Sequence, residues 1–112
     1  MKIAYVCSPY FADTKAGIKK HKQYARELTR WALYSGYVPV TPHLYLTEVT
    51  DDNNSEERQL GLGAGIKLLD KCDLLLIGDR FGISYGMASE IARADATGKQ
   101  ILFVTDAMLK TL

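Results

Sequence analysis

Along the chain, short apolar runs alternate with longer stretches of helical period. "KIAYVC" (Lys2–Cys7) is rich in β-formers, ends at Ser8 and Pro9, and predicts a buried first strand. From about Thr14 to Ser35 the period lengthens: Ile18, Ala25, Leu28 and Ala32 recur at helical spacing, beside a basic stripe of Lys15, Lys19, Lys22, Arg26 and Arg30. Gly36 supplies a stop. "YVPVTP" (Tyr37–Pro42) predicts a second strand, placed at an edge because Pro39 cannot donate to a ladder. "TEVTDDNNS" is polar throughout and predicts a loop. Asn54, with Glu57 three residues on, predicts a capping box for a helix over Ser55–Asp70 whose inner stripe is Leu60, Ala64, Leu68 and Leu69. "DLLLIG" (Asp73–Gly78) is a continuous apolar run, as expected of a strand buried on both faces. A loop over Asp79–Tyr85 leads into a helix from about Gly86 to Thr97. Gly98 stops that helix, and "QILFVT" (Gln100–Thr105) predicts the fourth strand.

Strands alternating with helices imply a parallel sheet with right-handed crossovers. The expected architecture is an α/β three-layer sandwich: a parallel four-stranded sheet of order 2-1-3-4 with helices on both faces, flavodoxin-like or Rossmann-like. Residues 1–112 are expected to form one domain. Such sheets bind ligands beyond the carboxyl ends of the strands, where the order reverses. Ser8–Ala12, His43–Tyr45, Gly78–Gly86 and the residues after Thr105 converge there.

Composition narrows the class. Hydrophobic residues make up 47% and charged residues 24%, the balance of an ordinary globular protein. A net charge of +1 offers no bulk attraction to a nucleic-acid backbone. No apolar run is long enough to span a membrane, and the opening "MKIAYVCSPYF" is broken too early by Pro9 to serve as a signal peptide. Cys7 and Cys72 are the only cysteines; two distant thiols without a C-x-x-C read as reduced, cytoplasmic residues, and no metal site is expected.

Two short motifs compete for the chemistry. Gly82-Ile83-Ser84-Tyr85-Gly86 fits G-x-S-x-G, the turn that presents a nucleophilic serine. In α/β-hydrolases the acid and histidine follow that serine, yet His21 and His43 both precede Ser84, so the serine-hydrolase reading is set aside. "GLGAG" (Gly61–Gly65) lacks the third glycine of a dinucleotide fingerprint and lies in a helical pattern, so it reads as a smooth packing face. The basic stripe on the first helix reads as a solvated face. Glu90 lies close to the start of the last long helix, where the positive helix end favours an ionised carboxylate. Backbone N–H groups at Ser84–Met87, with the Ser84 hydroxyl, form a potential anion cradle beside it. A carboxylate next to an anion site suits a ligand with both a phosphate and an electrophilic carbon, as a nucleotide has at C1′. On spacing alone, an acidic residue placed for capping, or an exposed helix charge, is the plainer account of Glu90.

"YVCSPYF", "CDLLLIGDR" and "SYGMASEIARADATGKQILFV" resemble nucleoside 2-deoxyribosyltransferases and their nucleotide-hydrolase relatives. The likeness is nearest to a group of small phage and prophage proteins that similarly carry "CSPY", "PHL", "CD" and S-x-G-M-x-x-E-I, and it spans nearly the whole chain. It implies that Glu90 is the catalytic nucleophile. Ser84 and Gly86 match the segment with which the 5′-monophosphate hydrolases hold phosphate, with Met87 following in the motif. Tyr5 or Tyr10 would orient the nucleophile, Asp73 matches the aspartate opening the third strand, and Asp79 stands where the transferases direct an aspartate toward the base. The hydrolases' glycine-rich, arginine-containing phosphate loop is replaced here by "SPYFADTK". Ser8 and Pro9 in that segment, His43 past the second strand, and Arg80, which could neutralise a phosphate or pair at the surface, complete the candidate ligand contacts.

The expected activity is cleavage or transfer at the N-glycosidic bond of a nucleoside or nucleoside 5′-monophosphate, with no cofactor and no metal. The alternative is a binding module of the same fold that captures a nucleotide-derived signal without turning it over. The expected partners are a small nucleoside or nucleotide and further copies of the chain, because Trp31, Tyr34 and the glycine-lined helix offer apolar or smooth surface; no nucleic-acid polymer or membrane is expected.

Overall fold

The computed structural model describes Met1–Leu112. Its elements are β1 (Ile3–Cys7), α1 (Lys15–Tyr34), β2 (Val38–Val40), a 3-10 turn (Pro42–Leu44), α2 (Leu46–Val49), α3 (Ser55–Lys71), β3 (Leu74–Ile77), α4 (Tyr85–Ala96), β4 (Gln100–Phe103) and α5 (Asp106–Leu109). The four strands form one parallel sheet in the order β2-β1-β3-β4. Pro39 therefore sits on an edge strand, as its missing N–H requires. No helix is long and apolar enough to cross a membrane.

The apolar runs of β1 and β3 occupy the centre because both their faces are covered. Ala4, Val6, Leu74 and Leu76 face Tyr24, Leu28 and Ala32 of α1, with Met108 and Leu109 of α5 against the same cluster. Tyr5, Cys7, Leu75 and Ile77 point to the opposite face, against Leu69 and Cys72 at the end of α3 and Met87 and Ala94 of α4. The strand period of two thus puts Tyr5 and Cys7 side by side under α3 and α4. At the carboxyl end of β3, Gly78 lets α1 approach closely: a Cβ there would lie 2.5 Å from Leu28 Cδ1 and 2.5 Å from the Tyr24 hydroxyl.

Local chemistry starts each long helix. Thr14 Oγ1 accepts from Gly17 N at 3.0 Å, Asn54 Oδ1 from Glu57 N at 3.1 Å, and Ser84 Oγ from Met87 N at 3.2 Å. The return bond of the expected capping box, from Glu57, does not form, so Asn54 caps α3 by itself. Two short helices, α2 and α5, occur where the sequence pattern indicated a loop and no further element. The rolled position of α3 is a larger correction. Leu60 is 65% exposed and Ala64 is exposed, whereas Gly65 and Leu69 are buried. Leu68 and Leu69 of the expected stripe do face the core, but its first half does not, and Gly65 takes the inward place because glycine provides no hydrophobic signal. Trp31 is also not the free surface anticipated: it packs against the α1-side core and stacks on Tyr37 at 6.3 Å.

Candidate active site

Helix α4 begins at the Ser84 cap and turns Met87, Glu90, Ile91 and Ala94 toward the sheet, the i, i+3, i+4, i+7 stripe of an inward face. Glu90 is thus a carboxylate at a core position, in the second turn of the helix, and not a charge on its outer face. Two donors meet it. The Tyr5 hydroxyl donates to Oε2, and the Cys7 thiol donates to Oε1 at an S···O distance of 3.5 Å. Both donors come from β1, two residues apart. A methyl group at Gly65 would lie 3.4 Å from the Tyr5 hydroxyl, so this glycine of α3 closes over the pair without filling its space.

Burial raises the Glu90 carboxyl above the ordinary carboxylate range, while the bonds from Tyr5 and Cys7 pull it back down. Burial, reinforced by the adjacent Glu90 charge, pushes the Tyr5 phenol and the Cys7 thiol well up, so both keep their protons and act as donors. A thiol held protonated is a poor nucleophile. Of the three groups, the carboxylate is the acceptor, with one donor on each of its oxygens.

Beyond the carboxyl ends of β1 and β2, two buried polar atoms have no hydrogen-bond partner: Ser8 Oγ and His43 Nδ1. Such atoms are costly to leave unpaired. Ser8 is 1% exposed. Burial drives the His43 imidazole down to about 4, so it is neutral near pH 7. The Tyr10 ring lies 5.4 Å from that of His43, tilted by 49°. His21 Nδ1 bonds the Tyr10 carbonyl at 3.0 Å and its ring lies 5.1 Å from Phe81, which ties the loop after β1 to the loop after β3. No group of three or more His, Cys, Asp or Glu side chains converges on one point. A groove along α1, lined by Arg26, Thr29, Arg30, Leu33, Tyr34 and Leu44, includes none of Tyr5, Cys7 or Glu90.

Residues 2–104 match the family described as a domain of unknown function, DUF7768. The chain belongs to the DUF7768 family. Among solved structures, this DUF7768 protein is similar to a 2-deoxyribosyltransferase from Bacillus psychrosaccharolyticus, with a TM-score of 0.70 and 15% sequence identity over 91% of this chain and 71% of that one. At that identity the likeness is one of fold. No curated protein matches the chain in sequence.

The DUF7768 structure brings only some of the sequence-derived candidates together. Of the two tyrosines, Tyr5 reaches Glu90 and Tyr10 packs on His43. Pro9 is buried. Ser84 spends its hydroxyl on Met87 N, while Gly86 has open space where a Cβ would stand. Asp79 is exposed in the loop after β3.

Three candidates fall elsewhere. Asp73 opens β3 at its amino end, where Oδ2 accepts from Ile3 N at 2.7 Å. It is separated from Ile77, the partner of Cys7, by roughly 13 Å of strand. Arg80 turns to the α1 side, with Nη1 2.9 Å from Glu27 Oε2, Nε 3.0 Å from Asp106 Oδ1, and its guanidinium 4.3 Å above the Tyr24 ring. The Met87 side chain is 1% exposed and belongs to the core under α4. The sequence reading missed Cys7 and Gly65. Alternation from Tyr5 along β1 was the signal for Cys7; for Gly65 the sequence showed only a smooth helix face.

Proposed function

We propose that this DUF7768 protein cleaves or transfers at the N-glycosidic bond of a nucleoside, with Glu90 as the nucleophile. The observation that carries this reading is a carboxylate on the inward stripe of α4, half-buried, with one donor on each of its oxygens. Attack of Glu90 on C1′ forms a C1′–O ester bond as the C1′–N bond breaks. The electron pair leaves with the base, which takes up a proton. Water or a second base then attacks C1′ and releases the glutamate. The Tyr5 and Cys7 donors aim the carboxylate and keep it ionised in a poorly solvated setting.

The fold likeness to a 2-deoxyribosyltransferase supports the same chemical class. Ser8 Oγ and neutral His43 Nδ1 would serve the base or sugar as uncharged hydrogen-bonding groups. The first-turn amides of α4 at Tyr85 and Gly86 would meet the 5′ end. Arg80 is occupied by two carboxylates on the α1 side, which favours a 5′-hydroxyl over a 5′-phosphate.

The test is incubation of the parent and Glu90→Gln with nucleosides and their 5′-monophosphates, with free base measured by chromatography. The expected result is base released from a nucleoside by the parent and slowed at least ~10³-fold in the variant. Release by Glu90→Gln at the parental rate, or no release from any compound by the parent, overturns the reading; in the second case intact ligand retained by the protein would indicate a binding module.

A further inference from the structure

The two oxygens of Glu90 are not equivalent. Oε2 receives an O–H donor from Tyr5, and Oε1 receives an S–H donor from Cys7 at 3.5 Å. A phenol donates strongly to a carboxylate, whereas a thiol is a weak donor. The register of the sheet sets both donors in place, since β1 is bonded on both sides, with Tyr5 opposite Val40 and Leu75 and Cys7 opposite Ile77. We infer that Cys7 is a positioning residue: its S–H fixes the rotation of the Glu90 carboxylate about its last bond and leaves Oε1 as the oxygen that attacks. The attack step rests on the glycosidic reading given above; the hydrogen bond and its effect on Glu90 do not.

The bland account of Cys7 is a small apolar core residue, since free cysteine is among the most buried residue types. Its surroundings argue for more. Glu90 Oε1 is the acceptor within reach of Sγ, and burial with the neighbouring carboxylate keeps the thiol protonated. The proton on sulfur thus points at Oε1 as long as Glu90 is ionised. Tyr5 and Cys7 are the side chains that bond the carboxylate. Leu75 and Ile77 of β3, Met87, Ile91 and Ala94 of α4, and Gly65 of α3 carry no charge. Cys72, at the end of α3, acts electrostatically on Tyr5 and is not among the groups acting on Glu90.

The choice of thiol has a chemical consequence. An oxygen that attacks carbon must shed the hydrogen bond on its attacking lone pair, and a weak donor makes that inexpensive. A hydroxyl in the same place would hold Oε1 more tightly and blunt it. An alkyl group would leave the carboxylate anchored at Oε2 alone, free to swing. Cys7 lies between these extremes.

The first experiment needs only the parent protein. Infrared spectroscopy of the S–H stretch across the titration of Glu90 should show one of the two thiol bands at lowered frequency, moving up as Glu90 is protonated, while the Cys72 band stays still. Glu90→Ala should fix the moving band at its upper position. Two thiol bands that ignore both pH and Glu90→Ala overturn the inference.

A second measurement follows the carboxyl carbon of Glu90 by NMR in Cys7→Ala and in Cys7→Val, which refills the space without a donor. Both should raise the Glu90 midpoint by roughly half a unit, the equivalent of one weak hydrogen bond. A midpoint unchanged in Cys7→Val makes the thiol a space filler and overturns the inference. Where the parent releases base, Cys7→Val should lower kcat roughly tenfold with KM within about twofold. Absence of release in the parent, with the spectroscopic shifts present, removes the glycosidic reading and leaves the Cys7–Glu90 bond standing.

Discussion

The hydroxyl of Tyr5 on β1 donates to Oε2 of Glu90 on α4, a contact between residues 85 apart in sequence. It joins the central strand to the helix at the point where the sheet order reverses. Removing it should therefore disturb Glu90 more than the fold. Tyr5→Phe is expected to raise the Glu90 midpoint, because burial then acts against one donor in place of two. The acid limb of the pH–rate profile should move up with it, and kcat should fall about 10- to 100-fold. Measuring base release from pH 4 to 8 checks this; a profile superimposable on the parent's excludes the role.

Glu90 should also cost the protein stability at neutral pH. Its folded-state value is raised above the ordinary 4.5, so the folded chain holds the proton to higher pH than the unfolded chain does. Between the two values the unfolded state binds fewer protons, and stability falls as pH rises through that window. Glu90→Gln has no such penalty. It should be more stable than the parent by on the order of 1 kcal/mol at pH 7, with the difference shrinking toward pH 4. Urea denaturation at the two pH values tests this, and an advantage that grows on acidification contradicts it.

His43 has the opposite sign. Its imidazole falls from 6.5 to about 4 through burial, so between those values the unfolded state binds more protons and stability rises with pH. The contribution of this one group is at most about 3 kcal/mol, fully present above 6.5 and lost as the pH drops toward 4. His43→Phe should flatten that slope. The measurement is the difference between parent and variant stabilities at pH 4.5 and pH 7; an equal difference at both leaves His43 outside the pH dependence.

Arg80 ties the loop after β3 to α1 and α5 through Glu27 and Asp106, over the ring of Tyr24. These groups are partly exposed, so the clamp is expected to be modest. Arg80→Ala should destabilise by about 1 kcal/mol, with a smaller loss at high salt. Affinity for a nucleoside should stay near the parent's, because the guanidinium faces away from Glu90. A large loss of nucleoside affinity without loss of stability would return Arg80 to the ligand.

Much of this protein was legible in one dimension. The apolar run of β3, the proline in β2, the cap at Asn54 and the glycine stops are local signals, each a consequence of backbone chemistry within a few residues. Alternation of strand and helix then implied the parallel sheet and its order, because crossover rules leave few arrangements. Glu90 was singled out by its motif, and the structure gives it two hydrogen-bond donors from β1.

What the sequence could not decide depended on rotation and direction in space. Tyr5 and Tyr10 are both tyrosines beside the first strand, and only the facing of β1 toward α4 selects Tyr5. Cys7 became a partner of Glu90 by sharing that face, a relation between distant segments that no local pattern contains. Asp73 belongs to the amino end of a strand whose ligand end lies beyond Ile77, and Arg80 was claimed by α1 and α5 from the other side of the sheet. The inward place of Gly65 on α3, over the Tyr5 hydroxyl, is likewise a relation between distant segments. Local chemistry determined the elements and their order; three-dimensional packing decided which side chains meet the carboxylate.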